Sequence, residues 1–286
     1  MQIIGDIFNF LFFQPIVNLL VFIIRILDSV GIPGSLGLSI ILLTVVIRLL
    51  IWPLMSSQLR SAKKMAELKP HLDALKEKHG KDRQALAKAQ MELYKQQGIN
   101  PAAGCLPALI QIPILIALYQ TILAVVGEAG GLSKINQALY IPSWGLNSSP
   151  DLYFLGLNLA DKPASYLTKL FSSPSLEAVV VILVPILTAL LQFIQSKMMY
   201  PKPVKKYPSD SPKEKKEKAS TEDAMVAVQG QMMYLMPLMI GYFAFSFPIG
   251  LALYWNTFTL FGIWQQYLIS GLGGAADLLL VFKSKK

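Results

Sequence analysis

Apolar residues in this chain gather into long charge-free runs separated by short stretches dense in charge. That is the pattern of helices that cross a bilayer. Residues 36–54 are apolar except for Arg48, 96–127 carry no charge with 104–126 as their apolar part, and 178–196 are also uncharged. A further charge-free run, 224–276, is too long for one span; Phe247-Pro248-Ile249-Gly250 supplies a turn that divides it near 231–246 and 251–270. A helix needs about 20 apolar residues to cross about 30 Å of hydrocarbon. The pattern therefore predicts spans at 36–55, 104–126, 177–197, 230–247 and 250–270. Pro107, Pro113, Pro185 and Pro237 fall inside these runs, which membrane helices tolerate when neighbours satisfy the freed carbonyls. The predicted fold class is an all-α integral membrane protein, a five-transmembrane-helix bundle.

The intervening segments have characters of their own. Within 1–35, Gln14, Asn18, Arg25 and Asp28 fall on one helical stripe among Ile, Leu, Val and Phe. This predicts an N-terminal interfacial amphipathic helix on the extracytoplasmic side, with a sixth span as the alternative. An ordinary signal peptide does not fit, because Asp6 stands where a basic region belongs and no small-residue cleavage site follows. Residues 56–103 are rich in helix formers. There Pro70 suits a helix start, His79-Gly80 a stop and Asp82 the next cap, which predicts a cytoplasmic helical hairpin with a thin apolar stripe (Leu72, Leu75, Leu86, Leu93). The extracytoplasmic loop 127–176 holds Tyr140, Trp144, Tyr153 and Tyr166 and should pack at the outer rim, where aromatic residues favour the interface. Residues 198–229, with Pro201, Pro203, Pro208 and Pro212, read as a flexible cytoplasmic loop, and 271–286 as a cytoplasmic basic tail.

Composition agrees. The chain is 53% hydrophobic and 15% charged, with a mean hydropathy of +0.49; a soluble domain is about a quarter charged. The single Cys105 excludes a disulfide scaffold and a cysteine-ligated zinc site. His71 and His79 lack metal-ligand spacing, and Gly80-Lys81 lacks the upstream Gly and following Ser/Thr of a phosphate loop. No cofactor, metal or enzymatic centre is expected.

The net charge of +9 has a topological origin. Of 26 Lys and Arg, ten lie in 60–95, eight in 197–218 and three in the tail (Lys283, Lys285, Lys286), whereas 127–176 hold only Lys134, Lys162 and Lys169. Basic loops stay in the cytoplasm, so the N-terminus is placed outside and the C-terminus inside. Five spans require the same arrangement. Sequence-specific nucleic-acid binding is not expected.

Burying a polar group in hydrocarbon costs several kcal/mol, roughly 2–7, so Arg48, Gln111, Gln192, Gln195 and Asn256 should face a wet interior. Arg48 lies about 18 Å from the outer edge of its span and about 10 Å from the inner edge at about 1.5 Å per residue. That depth also permits snorkelling to the cytoplasmic headgroups, although Ile47, Leu49, Leu50 and Ile51 crowd the site. No carboxylate in the other spans is placed to neutralise it. Gln192 and Gln195 have an alternative reading as interhelical hydrogen-bond donors, and Met232, Met233, Met236 and Met239 as packing.

The run Leu38-Ser39-Ile40-Ile41-Leu42-Leu43-Thr44-Val45-Val46-Ile47-Arg48-Leu49-Leu50-Ile51-Trp52-Pro53-Leu54 resembles the first core span of the YidC membrane protein insertases. So do Asn100-Pro101 through Gly104-Cys105-Leu106-Pro107, then Gln111-Ile112-Pro113 and Leu118-Tyr119. The closing stretch is similar as well: Met236-Pro237-Leu238, Phe247-Pro248-Ile249-Gly250-Leu251, Leu253-Tyr254-Trp255 and Gln265-Gln266. The resemblance covers 15–270. It departs from large Gram-negative members, whose big extracytoplasmic domain has no counterpart in these residues, and from Gram-positive members with a lipobox cysteine, since Cys105 lies in a span.

The resemblance implies a bacterial multi-pass cell-membrane protein that inserts and folds nascent membrane proteins without ATP. A hydrophilic groove open to the cytoplasm and the lipid would take the client's polar segment while its apolar segment slides along the first and last core spans. Arg48 is the groove's cation in this reading, and Trp255, whose alternative reading is an interface anchor, joins Gln111, Gln192, Gln195 and Asn256 as a groove residue. The lipid bilayer is a partner, with the Sec translocon and the ribosome as open further partners. The alternative is a small-solute channel or transporter with an intramembrane Arg; the halves show no self-similarity of the kind transporters carry.

Overall fold

The computed structural model describes residues 2–79, 82–98, 106–126, 130–199 and 221–276. Gly80-Lys81, the 100–105 motif with Cys105, the proline-rich 201–220 stretch and the tail lysines lie outside the described residues. The described part is nearly all helix. Its helices are α1 (Gln2–Phe8), α2 (Gln14–Ser29), α3 (Ser35–Leu50), α4 (Trp52–Glu67), α5 (Lys69–His79), α6 (Arg83–Gln96), α7 (Leu106–Val125), α8 (Gly131–Gln137), α9 (Tyr166–Ser172), α10 (Leu176–Met199), α11 (Thr221–Ser246) and α12 (Ile249–Ser270). The chain divides into two compact units.

The first unit comprises Met1–Trp52, Pro107–Leu191 and Leu238–Phe261. Its core joins Val17, Leu20, Val21 and Ile24 of α2 to Leu36, Ile40 and Leu43 of α3, with Leu118, Ile122 and Val125 of α7 and Leu251, Ala252 and Tyr254 of α12. Its outer surface is apolar too. Leu183, Ile186, Leu187 and Leu190 of α10 are all exposed, as expected for a helix whose solvent is lipid.

Among the described residues, two helical runs are long and apolar enough to cross a bilayer singly: Gln2–Ser29, of 28 residues and mean hydropathy 2.2, and α10, of 24 residues and 2.4. The first joins α1 to α2 through a π-helical stretch, Asn9–Phe13. Pro15 offers no N–H to the carbonyl of Leu11 and its ring crowds that carbonyl, and the helix widens over this turn. The spanning alternative for the N-terminal segment therefore has the necessary length. Its polar stripe has a different use from the one expected at a headgroup surface. Asn18 is buried, donating through Nδ2 to the Ala138 carbonyl at 2.9 Å and accepting from the Tyr140 N–H at 2.7 Å. Arg25 Nη1 donates to the Ser143 carbonyl at 3.3 Å.

Residues 130–175 close one end of this unit. They contain α8, α9 and a hairpin of β1 (Tyr153–Phe154) and β2 (Leu157–Asn158), paired Tyr153 with Asn158 and Phe154 with Leu157. The first amides of a helix lack intrahelical acceptors, and this segment supplies them. Ile249 N–H donates to the Asp161 carbonyl at 2.8 Å and Gly250 N–H to the Leu159 carbonyl at 2.9 Å, at the start of α12. Before α3, Gly34 N–H donates to Asp151 Oδ2 at 3.0 Å, in a left-handed conformation (φ +70°) that suits glycine. The Tyr153 and Gly34 amides together hold the Asp151 carboxyl below its ordinary pKa. Phe154 lies over Gly37 so closely that any β-carbon there would overlap its ring.

The second unit comprises Pro53–Leu106, Gln192–Pro237 and Gly262–Lys286. Here α5 packs on α6. Asp82 caps α6, its Oδ1 accepting from Gln84 and Ala85 N–H, both at 3.0 Å. Leu86 is buried, but Leu72, Leu75 and Leu93 are only half-buried. Gln265 Nε2 donates to Ser56 Oγ at 3.1 Å.

Two element ends differ from the sequence expectation. The first run does not continue to residue 55 as one helix: α3 stops at Leu50 and α4 begins at Trp52. Pro53 has no N–H for the Leu49 carbonyl and its ring disfavours the uninterrupted helix. Conversely, α11 starts at Thr221, inside the stretch read as a flexible loop. Charge placement marks where hydrocarbon ends, whereas helix formers such as Glu222, Ala224, Met225 and Gln229 carry a helix past that boundary.

Candidate functional site

Arg48 sits in the last turn of α3 and is 1% exposed. Its guanidinium carbon lies 3.4 Å from the centre of the Phe258 ring, and Nη2 donates to the Phe258 carbonyl. Phe258 is inside α12, so its carbonyl already belongs to the helix ladder and gives Arg48 its second lone pair. Nε and Nη1 are buried without a hydrogen-bond partner among the described residues. A cation with spare donors and no carboxylate beside it is an unmet demand for acceptors. The side chain points inward rather than toward a membrane surface. Of the four neighbours expected to crowd it, Leu49 and Leu50 are 55% and 72% exposed and face outward, whereas Ile47 is buried and Ile51 half-buried.

Tyr254, one turn before Phe258, is fully buried, and its ring lies 5.7 Å from the Phe258 ring. Gln111 Nε2 donates to Tyr254 Oη at 2.7 Å. Three helices thus converge on one polar cluster inside an apolar core: α3 through Arg48, α7 through Gln111, and α12 through Tyr254 and Phe258. Of the residues singled out from sequence, the structure brings Arg48 and Gln111 into this cluster. Trp255 is buried on the adjoining position of α12. Asn256 is about 200° around the helix from Tyr254, with its Oδ1 buried and without a hydrogen-bond partner among the described residues. Gln192 and Gln195 belong to the second unit and are half-buried there.

Sequence reasoning passed over Tyr254 and Phe258 as site residues. Their four-residue spacing on one helix was the available signal, since it stacks two aromatics on one face. It also missed Ser35 and Ser39, one turn apart on α3, whose hydroxyls are buried without hydrogen-bond partners among the described residues. Among the described residues, no group of three or more His, Cys, Asp or Glu side chains could hold a metal ion.

Residues 28–273 match the family described as 60Kd inner membrane protein. The chain belongs to that family. It is 35% identical over 239 residues to membrane protein insertase MisCA of Bacillus subtilis, covering 82% of this chain and 70% of that one. It is 30% identical over 240 residues to membrane protein insertase YidC of Fusobacterium nucleatum, covering 84% and 88%. A chloroplast relative, inner membrane ALBINO3-like protein 1 of Chlamydomonas reinhardtii, is 33% identical over 254 residues, or 87% of this chain. The chain spans about half of that relative's length (47%). The resemblance to YidC-type insertases is thereby established at the level of the family. None of these relatives is named as a channel, so the solute-channel alternative draws no support from them.

Proposed function

We propose that this chain is a membrane protein insertase, a facilitator that moves polar segments of nascent membrane proteins into the bilayer without consuming ATP. The observation that carries this reading is the buried Arg48, held by α12 with Nε and Nη1 unspent, in a member of a family whose relatives are named insertases. A lone charge at a helix centre costs about 2.5–3.5 kcal/mol on insertion scales. An acidic or polar client segment that supplies acceptors offsets that cost and lowers its own desolvation penalty at the same time. Gln111 would meet the client near Arg48, Trp255 and Asn256 would do so on the neighbouring and opposite faces of α12, and Gln192 and Gln195 would be client-contacting amides of the second unit.

The proposed topology has five spans after an extracytoplasmic N-terminal segment, with 127–176 outside and the tail inside a bacterial cell membrane. The segment 56–103 would meet clients first. Its apolar stripe is thin, so it should be locally unstable and able to move. The Sec translocon and the ribosome are candidate further partners, to be tested by co-purification.

Reconstitution in liposomes tests the function. The purified chain should increase protease-protected insertion of a single-span protein with an acidic tail. Solute flux without insertion would instead support a channel.

A further inference from the structure

We propose that α9 is a membrane anchor, with Phe171 and Leu176 seated in the leaflet at the N-terminal end of α10. On α9, Tyr166 is 6% exposed and Leu170 packs against the core of the first unit, so one face is committed to protein. The adjoining stripe is apolar and uncovered: Leu167 is 39% exposed and Phe171 83%. Thr168, Lys169 and Ser172 occupy the rest of the circumference and are exposed. Two apolar side chains one turn apart beside a polar face are what an interfacial helix presents.

The surface that continues this stripe identifies its occupant. Leu176, the first residue of α10, is 81% exposed, and Val179, Val180, Leu183, Ile186, Leu187 and Leu190 follow at helical spacing, all exposed. This stripe runs along a helix long and apolar enough to cross a bilayer, so lipid covers it. Phe171 precedes Leu176 by five residues, and the Tyr166–Glu177 bond ties α9 to the start of α10, so a bilayer that covers Leu176 at the end of this span would take Phe171 at the level of the headgroups. Water beside Phe171 would leave a large aromatic side chain uncovered at the edge of a lipid-covered face. Phe favours the acyl boundary, and the Lys169 ammonium, 4.4 Å from the Tyr166 ring centre, is placed where a long basic side chain reaches phosphate.

The anchor is fastened to the helices. Tyr166 Oη lies 3.0 Å from Glu177 Oε1 at the start of α10 and also bonds Asp161 Oδ2. Asp161 in turn caps α12 through its carbonyl. A lipid-seated α9 therefore fixes the closed end of the first unit against the bilayer. Leu155 at the hairpin tip, 87% exposed and at φ +51°, lies on neither α9 nor α10 and is left out of the anchor.

The test is nitroxide labelling of Phe171→Cys in a Cys105→Ala background, in liposomes of phosphatidylcholine and phosphatidylglycerol. Collision with oxygen, which partitions into lipid, is compared with collision with a water-soluble nickel chelate. Ile186→Cys serves as the lipid reference and Ser148→Cys as the water reference. The oxygen-to-nickel ratio at position 171 should resemble that at 186 and exceed that at 148 several-fold. A ratio like that at 148, or a label shielded from both reagents by protein, would overturn the proposal. Leu176→Cys repeats the measurement should the Phe171 variant fail to fold. The readout needs no insertion activity and stands apart from the proposed function.

Discussion

The guanidinium of Arg48 is held by a single residue of another helix in two ways at once: its central carbon lies 3.4 Å from the ring centre of Phe258, and Nη2 bonds the same residue's carbonyl. The ring contact and the hydrogen bond together restrain the guanidinium, so the charge follows α12. In the proposed function Arg48 is the cation that meets the client, and Phe258 would then orient it. A desolvated cation over an aromatic face contributes about 2 kcal/mol.

Removing the charge should therefore differ from loosening it. Arg48→Ala is expected to keep the fold and impair insertion of a client with an acidic tail by at least about tenfold, the effect of ~1.4 kcal/mol. Arg48→Lys should retain much of the activity, since an ammonium can still donate to a carbonyl. Phe258→Leu keeps the carbonyl contact and loses the ring, so it should fall between Arg48→Ala and the unmodified chain. A neutral-tailed client, measured in parallel in the same liposomes, should be less affected by all three.

Tyr254→Phe removes the acceptor of Gln111 while keeping the ring packed against Phe258. The half-buried amide loses its partner at a cost of about 1–3 kcal/mol. Thermal unfolding in detergent should shift down accordingly. Gln111→Leu combined with Tyr254→Phe should recover part of the loss, because neither polar group then remains unpaired.

Gly37→Ala places a β-carbon into the Phe154 ring. Overpacking of this kind costs about 1–3 kcal/mol. The double variant with Phe154→Leu should be more stable than Gly37→Ala alone, and a thermal-shift double-mutant cycle measures the coupling. Independent, additive effects would mean that the hairpin does not rest on α3.

Asn18→Ala leaves the Ala138 carbonyl and the Tyr140 N–H without their side-chain partner. Hydrogen exchange at Tyr140 should accelerate, while exchange at the amides of α3 should change little. Equal protection in the variant would show that the loop is held by its apolar contacts alone.

Topology is tested with single cysteines at Ser148 and Ser220 in a Cys105→Ala background. A membrane-impermeant maleimide should label only position 148 in intact cells, and position 220 only after permeabilisation. Labelling of both from the same side would remove the five-span arrangement.

Much of this protein is decided locally and could be read along the chain. Charge-free runs mark the long apolar helices because hydrocarbon excludes ions wherever a helix crosses it. Asp82 caps α6 through bonds to amides two and three residues away, within reach of its own side chain. The break at Ile51 follows from Pro53 and was equally local, although the apolar pattern concealed it. Asn18 looked like part of a surface stripe because a helical wheel records which residues share a face, not what covers that face. Its partners are 120 and 122 positions away. The same limit applied to Arg48: an intramembrane Arg could be located from sequence, but not the inward turn onto Phe258, 210 residues later. Periodicity sets the direction of each side chain around its own helix. Only the packing of α3, α7 and α12 decided which directions meet, and so placed Tyr254 and Phe258 beside Arg48 and Gln111 with Asn256 on the other side.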